Sequence, residues 1–182
     1  QGVNLNNLID FTPSLRSQAL DIISQWDYGD LYTPPSQRGT LTVPSITGGA
    51  SWSGATYHPG KNILYVPSGT FPFVTSIERS GLQTLQNRDY VHGPQGLPLM
   101  KPPYARITAI SMETGDHIWV SAVGRGYENS AALSGVTIDG DLGAVQRVHA
   151  ITTKNLVITG QQRLTAFNLD TGEKVGEVAV PN

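Results

Sequence analysis

The sequence predicts an all-β chain, a partial β-propeller entered through one N-terminal helix. Three observations lead there. The 182 residues are 38% hydrophobic, with 20 Gly, 12 Pro and only 14% charged residues, a turn-rich pattern that favours short strands over long amphipathic helices. Helical spacing is confined to the first 30 residues. One strand–turn–strand segment also repeats without gaps at an offset of 57 residues.

The helix comes first. Thr12 suits an N-cap and Pro13 the first helical position, and Leu15, Ala19, Ile22, Ile23 and Trp26 follow at helical spacing, so a helix is expected over 13–26, ended by Tyr28-Gly29-Asp30. This makes residues 1–30 a helix and connector, and 31–182 the propeller portion. Thr40-Leu41-Thr42-Val43 is a β-prone run stopped by Pro44. A stretch of small and aromatic residues, Gly48 to Tyr57, leads into the turn His58-Pro59-Gly60-Lys61, and Asn62 to Val66 is the returning strand of that hairpin. Residues 78–103 hold four prolines and little periodicity, and are expected to form a long surface excursion.

The repeat aligns Ile107–Trp119 with Leu164–Gly176. Thr108/Thr165, Ala109/Ala166, Thr114/Thr171 and Gly115/Gly172 are identical, while Glu113/Asp170 and Asp116/Glu173 keep their charge. In each copy the glycine supplies the positive φ that a tight hairpin needs. A second echo joins Lys61-Asn62-Ile63-Leu64-Tyr65 to Lys154-Asn155-Leu156-Val157-Ile158. Antiparallel units of this kind are propeller blades, and three are expected, near 48–77, 104–123 and 148–180. Three blades do not close a ring, so the chain is expected to be part of a larger propeller.

Several chemistries are excluded. The net charge of −2 offers no surface for nucleic acid or anionic membrane, and no apolar run has the length of a membrane span. No basic and apolar leader is visible at Gln1–Asn4. Cysteine is absent, which removes disulfides, thiolate metal sites and thiol nucleophiles. His58, His92, His117 and His149 lack metal-ligand spacing. Asp139-Gly140-Asp141 begins like a calcium loop but lacks the third oxygen position and the closing glutamate. There is no nucleophile elbow, Walker loop or dinucleotide fingerprint.

Taken in order, a set of motifs resembles the PQQ-dependent (quinoprotein) dehydrogenases of the membrane glucose dehydrogenase type. They are Leu31-Tyr-Thr-Pro-Pro-Ser36 with Gly39-Thr40-Leu41, then Gly48-Gly49-Ala50-Ser51-Trp52-Ser53-Gly54-Ala55, and Leu64-Tyr65-Val66 with Phe71-Pro72-Phe73-Val74. Gly96-Leu97-Pro98-Leu99, Lys101-Pro102-Pro103-Tyr104, Arg106–Ile110, Thr114-Gly115 with Trp119, and Leu164–Phe167 with Asp170-Thr171-Gly172 complete it. The order holds over about 150 residues. The resemblance implies three to four blades of an eight-bladed, PQQ-holding propeller in the periplasm, the C-terminal portion of an enzyme that oxidises a sugar or alcohol by hydride transfer to the quinone.

It implies roles residue by residue. Trp119 resembles the family's tryptophan-docking indole, packed between neighbouring blades, whereas Gly176 stands where the second copy would carry Trp. Ser51, Trp52, Ser53 and Gly54 match a strand that lies near the quinone, where relatives often have Asn-Trp-Gly-Gly. Pro67 and Ser68 match another cofactor-proximal position, often with Asn in place of Pro67. Lys101 and Arg125 are candidate partners for a cofactor carboxylate. The catalytic base and the calcium ligands are expected in upstream segments, so this chain contributes part of the pocket and is inactive alone. The remaining blades, in the same parent chain or in another, are the implied partners, and a small sugar or alcohol the substrate. A non-catalytic envelope propeller used as a scaffold or binding protein is the alternative.

Overall fold

The computed structural model describes residues 2–44, 48–50, 52, 54–80, 83–160 and 163–180. In chain order the main elements are α1 (Pro13–Ile23), β1 (Thr40–Thr42), β2 (Thr56–His58), β3 (Ile63–Gly69), β4 (Phe73–Ser80), β5 (Gln83–Tyr90), β6 (Ala105–Ser111), β7 (His117–Ala122), β8 (His149–Thr152), β9 (Leu156–Gly160), β10 (Arg163–Asn168) and β11 (Lys174–Ala179). They form one helix and three antiparallel sheets, an all-β partial propeller. Contacts group the chain into two units, residues 1–48, 70–102 and 129–137 in the first, and 49–69, 103–128 and 138–182 in the second.

In the first unit α1 starts as its sequence requires. Thr12 Oγ1 accepts from the Leu15 amide at 3.1 Å, Pro13 occupies the first turn, and Leu15, Ala19 and Ile23 are buried. The helix stops at Ile23, three residues before the predicted end. There the Gln25 and Trp26 amides turn to carbonyls three residues back, and the Arg38 guanidinium donates to the Ser24 and Gln25 carbonyls. The last turn is thereby tightened and its free carbonyls are occupied. The N-terminal segment runs beside residues 99–101, with Ile9 N to Leu99 O at 2.9 Å and Lys101 N to Asn7 O at 2.7 Å, and Leu8, Ile9, Leu97, Leu99 and Met100 are buried.

The same unit corrects the expected excursion. β4 and β5 pair antiparallel over residues 73–80 and 83–90, and with β1 they make a sheet of order β1-β4-β5. Gln-Thr-Leu-Gln-Asn-Arg-Asp-Tyr of β5 has no apolar alternation, so its strand character comes from backbone pairing and leaves no period-2 signal.

The second unit holds two four-stranded sheets, β2-β3-β6-β7 and β8-β9-β10-β11, each in sequential order from one edge to the other. Here the expected blade boundaries are corrected. β3 pairs along its whole length with β6, from Ile63 opposite Ser111 to Gly69 opposite Ala105, so the units expected at 48–77 and 104–123 are two halves of one blade. The described residues thus give two complete blades and a separate three-stranded sheet. Ile63, Tyr65, Ala105, Ile107 and Ala109 of the first blade pack with Val157, Phe167 and Leu169 of the second in a single buried cluster, with Val123 and Val148 completing it.

The 57-residue repeat extends to individual hydrogen bonds. Ser111 N donates to Asp116 O at 2.9 Å, and Asn168 N to Glu173 O at 2.8 Å. The amides of Gly115 and Gly172 donate back to Ser111 and Asn168, with φ of 80° and 70°. A register shift follows Ala109 in one copy and Ala166 in the other.

Trp119 packs against the second copy of that turn. Its Nε1–H donates to Leu169 O at 2.9 Å, the hydroxyl of buried Tyr65 donates to the same carbonyl at 3.1 Å, and Ser121 Oγ donates to Gly172 O at 2.6 Å. A Cβ on Gly172 would lie 2.5 Å from the indole. Gly176, at the matching position of the second blade, is exposed and a Cβ there would meet nothing. At the inner edge the Thr152 amide donates to Thr56 Oγ1 at 3.0 Å, and Lys61 pairs with Asp170 at 2.7 Å beside the dock.

Two outcomes follow for stability. Gly115→Ala meets only the left-handed φ and is expected to cost about 1–2 kcal/mol. Gly172→Ala adds the clash with the indole and should cost at least about 2 kcal/mol more, read from denaturant midpoints. Second, burial, and to a lesser degree Asp170, push the Tyr65 hydroxyl up to about 12. A raised acid keeps its full contribution below the ordinary tyrosine value near 10 and loses it as pH rises through 12. Wild-type stability should therefore fall by on the order of 2–3 kcal/mol over that interval relative to Tyr65→Phe, measured by urea unfolding of both proteins from pH 8 to 12.

Candidate functional site

The two ends of the blades in the second unit are unlike. At one end the connections are tight turns, as at Pro59–Asn62 and Met112–Asp116. At the other end β3 leads to β6 through residues 70–104, and β7 leads to β8 through residues 123–148. Long loops on a rigid sheet are where binding groups gather. Residues 49–55 enter β2 from this end, and Pro67 and Ser68 lie at the same end of β3.

The path of residues 49–56 follows from two pairings. Gly69 N donates to Gly49 O at 3.0 Å, and Thr56 stands opposite Tyr65. Five residues of β3 thus face a segment eight positions long, whose described residues (Gly49, Ala50, Trp52 and Gly54 to Thr56) bow away from one-for-one pairing. Amides of alternate residues leave a strand on the same side, so the nitrogen of Pro67 faces this bow, where no ladder partner requires a donor. That explains a proline within β3. Trp52 lies on the bow with its side chain 91% exposed, and Gly54 is exposed with φ of +68°. Ser51 and Ser53 lie outside the described residues.

Alternation along β3 sends its last two candidates to opposite faces. Pro67 is buried on the face of Tyr65, towards the second blade, and pairs with Ile107. Half-buried Ser68 is on the other face, where its hydroxyl accepts from Arg106 Nε at 3.2 Å. Arg106 also donates from Nη1 to Pro103 O at 2.8 Å, and burial lowers its guanidinium below the usual arginine value. In the sequence Arg106 stands only within a motif, and 37 intervening residues hide its cross-strand position opposite Ser68.

The two cations named from the sequence each bind a carboxylate of this chain. Lys101 binds Asp10 at 2.5 Å in the first unit, and Arg125 Nε binds Asp141 at 3.0 Å in the second. Next to Arg125, the loop is anchored by Glu128, whose carboxylate accepts from the amides of Leu142 (2.9 Å), Gly126 (2.8 Å) and Tyr127 (3.1 Å). Partial burial pushes this carboxyl up, but the amide donors outweigh it and hold it below the usual carboxylate range. Among the described residues no three His, Asp or Glu side chains gather as a metal site.

An exposed indole on a bowed segment, with a partly desolvated guanidinium near the same end of the sheet, suits a flat anionic ligand. Comparisons with known proteins give the family. The family model for the PQQ glucose/ethanol/alcohol dehydrogenase β-propeller domain matches residues 1–182. Quinoprotein glucose dehydrogenase of Escherichia coli (strain K12) is 24% identical over 186 residues, covering 86% of this chain and 23% of that protein. Quinoprotein glucose dehydrogenase A of Acinetobacter calcoaceticus is 25% identical over 184 residues, covering 85% and 22%. The chain therefore spans less than a quarter of the length of these relatives. A quinohemoprotein alcohol dehydrogenase from Pseudomonas putida HK5 superposes with a TM-score of 0.53 at 18% identity, over 78% of this chain and 20% of that one, a likeness of fold. With its whole length matched by the family model and its blades built on the docked 57-residue repeat, the chain belongs to the PQQ glucose/ethanol/alcohol dehydrogenase β-propeller family.

Proposed function

We propose that this chain forms part of the cofactor pocket of a periplasmic PQQ-dependent dehydrogenase that oxidises a sugar or alcohol. The observation that carries the reading is the bowed Gly49–Thr56 segment, with Trp52 91% exposed at the loop end of a blade. An indole of that size in water has no packing reason within the described residues, and it offers an apolar face to a planar ring system. When bound, the quinone supplies the hydride acceptor for oxidation of the substrate's carbinol carbon.

The chain's own residues orient and hold. Trp52 provides the stacking face, and Gly54 gives the bow its left-handed turn without a side chain in the way. Pro67 acts through the backbone, by leaving the bow without a competing ladder donor. Ser68 fixes Arg106, which balances the negative charge of a carboxylate. Ser51 and Ser53 flank Trp52 in sequence and add hydroxyl donors. The base that takes the substrate hydroxyl proton, and the ligands of a calcium ion polarising the quinone carbonyl, come from the remaining blades, which are the partners this reading requires.

Two outcomes test it. Titration of the longest natural form of the protein with PQQ and calcium should quench tryptophan fluorescence saturably, and Trp52→Ala should weaken binding by about tenfold while leaving the fold intact, the loss expected for removing one stacked aromatic. No saturable quenching in a form that holds all its blades would instead favour a non-catalytic envelope propeller. The 182 residues alone should show no dye reduction with glucose or simple alcohols; turnover without other segments would refute the division of labour proposed above.

A further inference from the structure

We propose that the cleft between the two blades binds a small free carboxylate, which closes a ring of alternating charge along the outer part of the second blade. Four links of that ring exist. Arg125 Nε binds Asp141 Oδ1 at 3.0 Å, Lys174 Nζ binds Asp141 Oδ2, Lys174 and Glu177 stand 4.0 Å apart, and Arg163 Nε binds Glu177 Oε1. The series runs cation, anion, cation, anion, cation, and so carries one uncompensated positive charge.

Both cationic ends of the series open on one cavity. Arg125 and Arg163 line it together with Gln146 and Thr165, and its volume is about 40 Å³. A space of this kind needs about 10–15 Å³ to admit one water molecule, so it has room for the few heavy atoms of a carboxylate head group. Asp141 and Glu177 are more buried than the arginines they hold, with side-chain exposures of 22% and 17% against 61% and 51%. They therefore act as fixed pins: each guanidinium is held through Nε, and among the described residues neither has a second partner for its terminal amino groups. Two guanidinium groups lining one small cavity offer donors to the two oxygens of a carboxylate, and one negative charge neutralises the series. Chloride satisfies the charge but not the paired geometry.

The site is independent of the quinone reading and is tested without it. The protein is titrated with sodium formate or sodium acetate against sodium chloride at matched ionic strength, following thermal unfolding and the line width of ¹³C-formate. A saturable rise in melting temperature and selective broadening with the carboxylates are expected, and Arg125→Gln should weaken both by at least about tenfold, the worth of a charge-assisted pair of hydrogen bonds. Arg38→Gln, which alters a paired arginine elsewhere, should change neither. If Arg163→Gln fails to fold, Arg125→Lys keeps the charge and removes the fork, and it should lose the preference for formate over chloride. An equal response to chloride, or a formate response undiminished in Arg125→Gln, overturns the proposal.

Discussion

The carbonyl of Leu169 is the point on which the second unit depends. It accepts two hydrogen bonds, from the indole of Trp119 and from the hydroxyl of Tyr65, both carried by the neighbouring blade. A carbonyl has two lone pairs, and here both are taken by side chains, so the start of the Leu169–Gly172 turn is held at one distance from the adjacent sheet. Gly172 makes the contact possible, because only a residue without Cβ lets the turn lie on the indole. The aromatic pair adds its own packing, with ring centroids 5.7 Å apart. A sheet cannot bury both faces alone, and this dock aligns the two faces that form the common core.

Because the dock is at the turn end, the other end can vary. The tight turns repeat bond for bond, whereas the loop end accommodates residues 70–104 between two strands of one sheet without breaking their pairing. Pro67 illustrates the division. Its ring is part of the buried face, while its nitrogen, lacking a hydrogen, faces the bowed segment that carries Trp52. One residue serves both the packing of the blade and the shape of its open edge.

Electrostatics on this unit follow the same split. Near the dock, Lys61 and Asp170 are neighbours across the blades and add a modest, partly exposed pair. At the loop end Glu128 satisfies three amides at once, which fixes the loop that bears Arg125. Anchoring a loop through its backbone leaves its cations available to be oriented by other carboxylates, as Asp141 orients Arg125.

The sequence by itself determined the strand–turn–strand repeat and the helix start at Thr12-Pro13, while the family and the docking role of Trp119 were implied by the resemblance of its ordered motifs. The first two rest on local signals: a glycine at positive φ and a capping hydroxyl. Tertiary structure decided the rest. That residues 48–69 and 105–122 make one blade depends on β3 meeting β6 across a long insertion, and no periodicity records a partner 38 residues away, as Ser68 is from Arg106. The polar strand β5 is held by backbone pairing and has no apolar pattern to betray it. The opposite faces of Pro67 and Ser68 follow from strand alternation once the register is set, and the convergence of Arg125 and Arg163 on one cavity needs both blades packed together. Local conformational preference is written residue by residue, whereas pairing and convergence are properties of the folded chain.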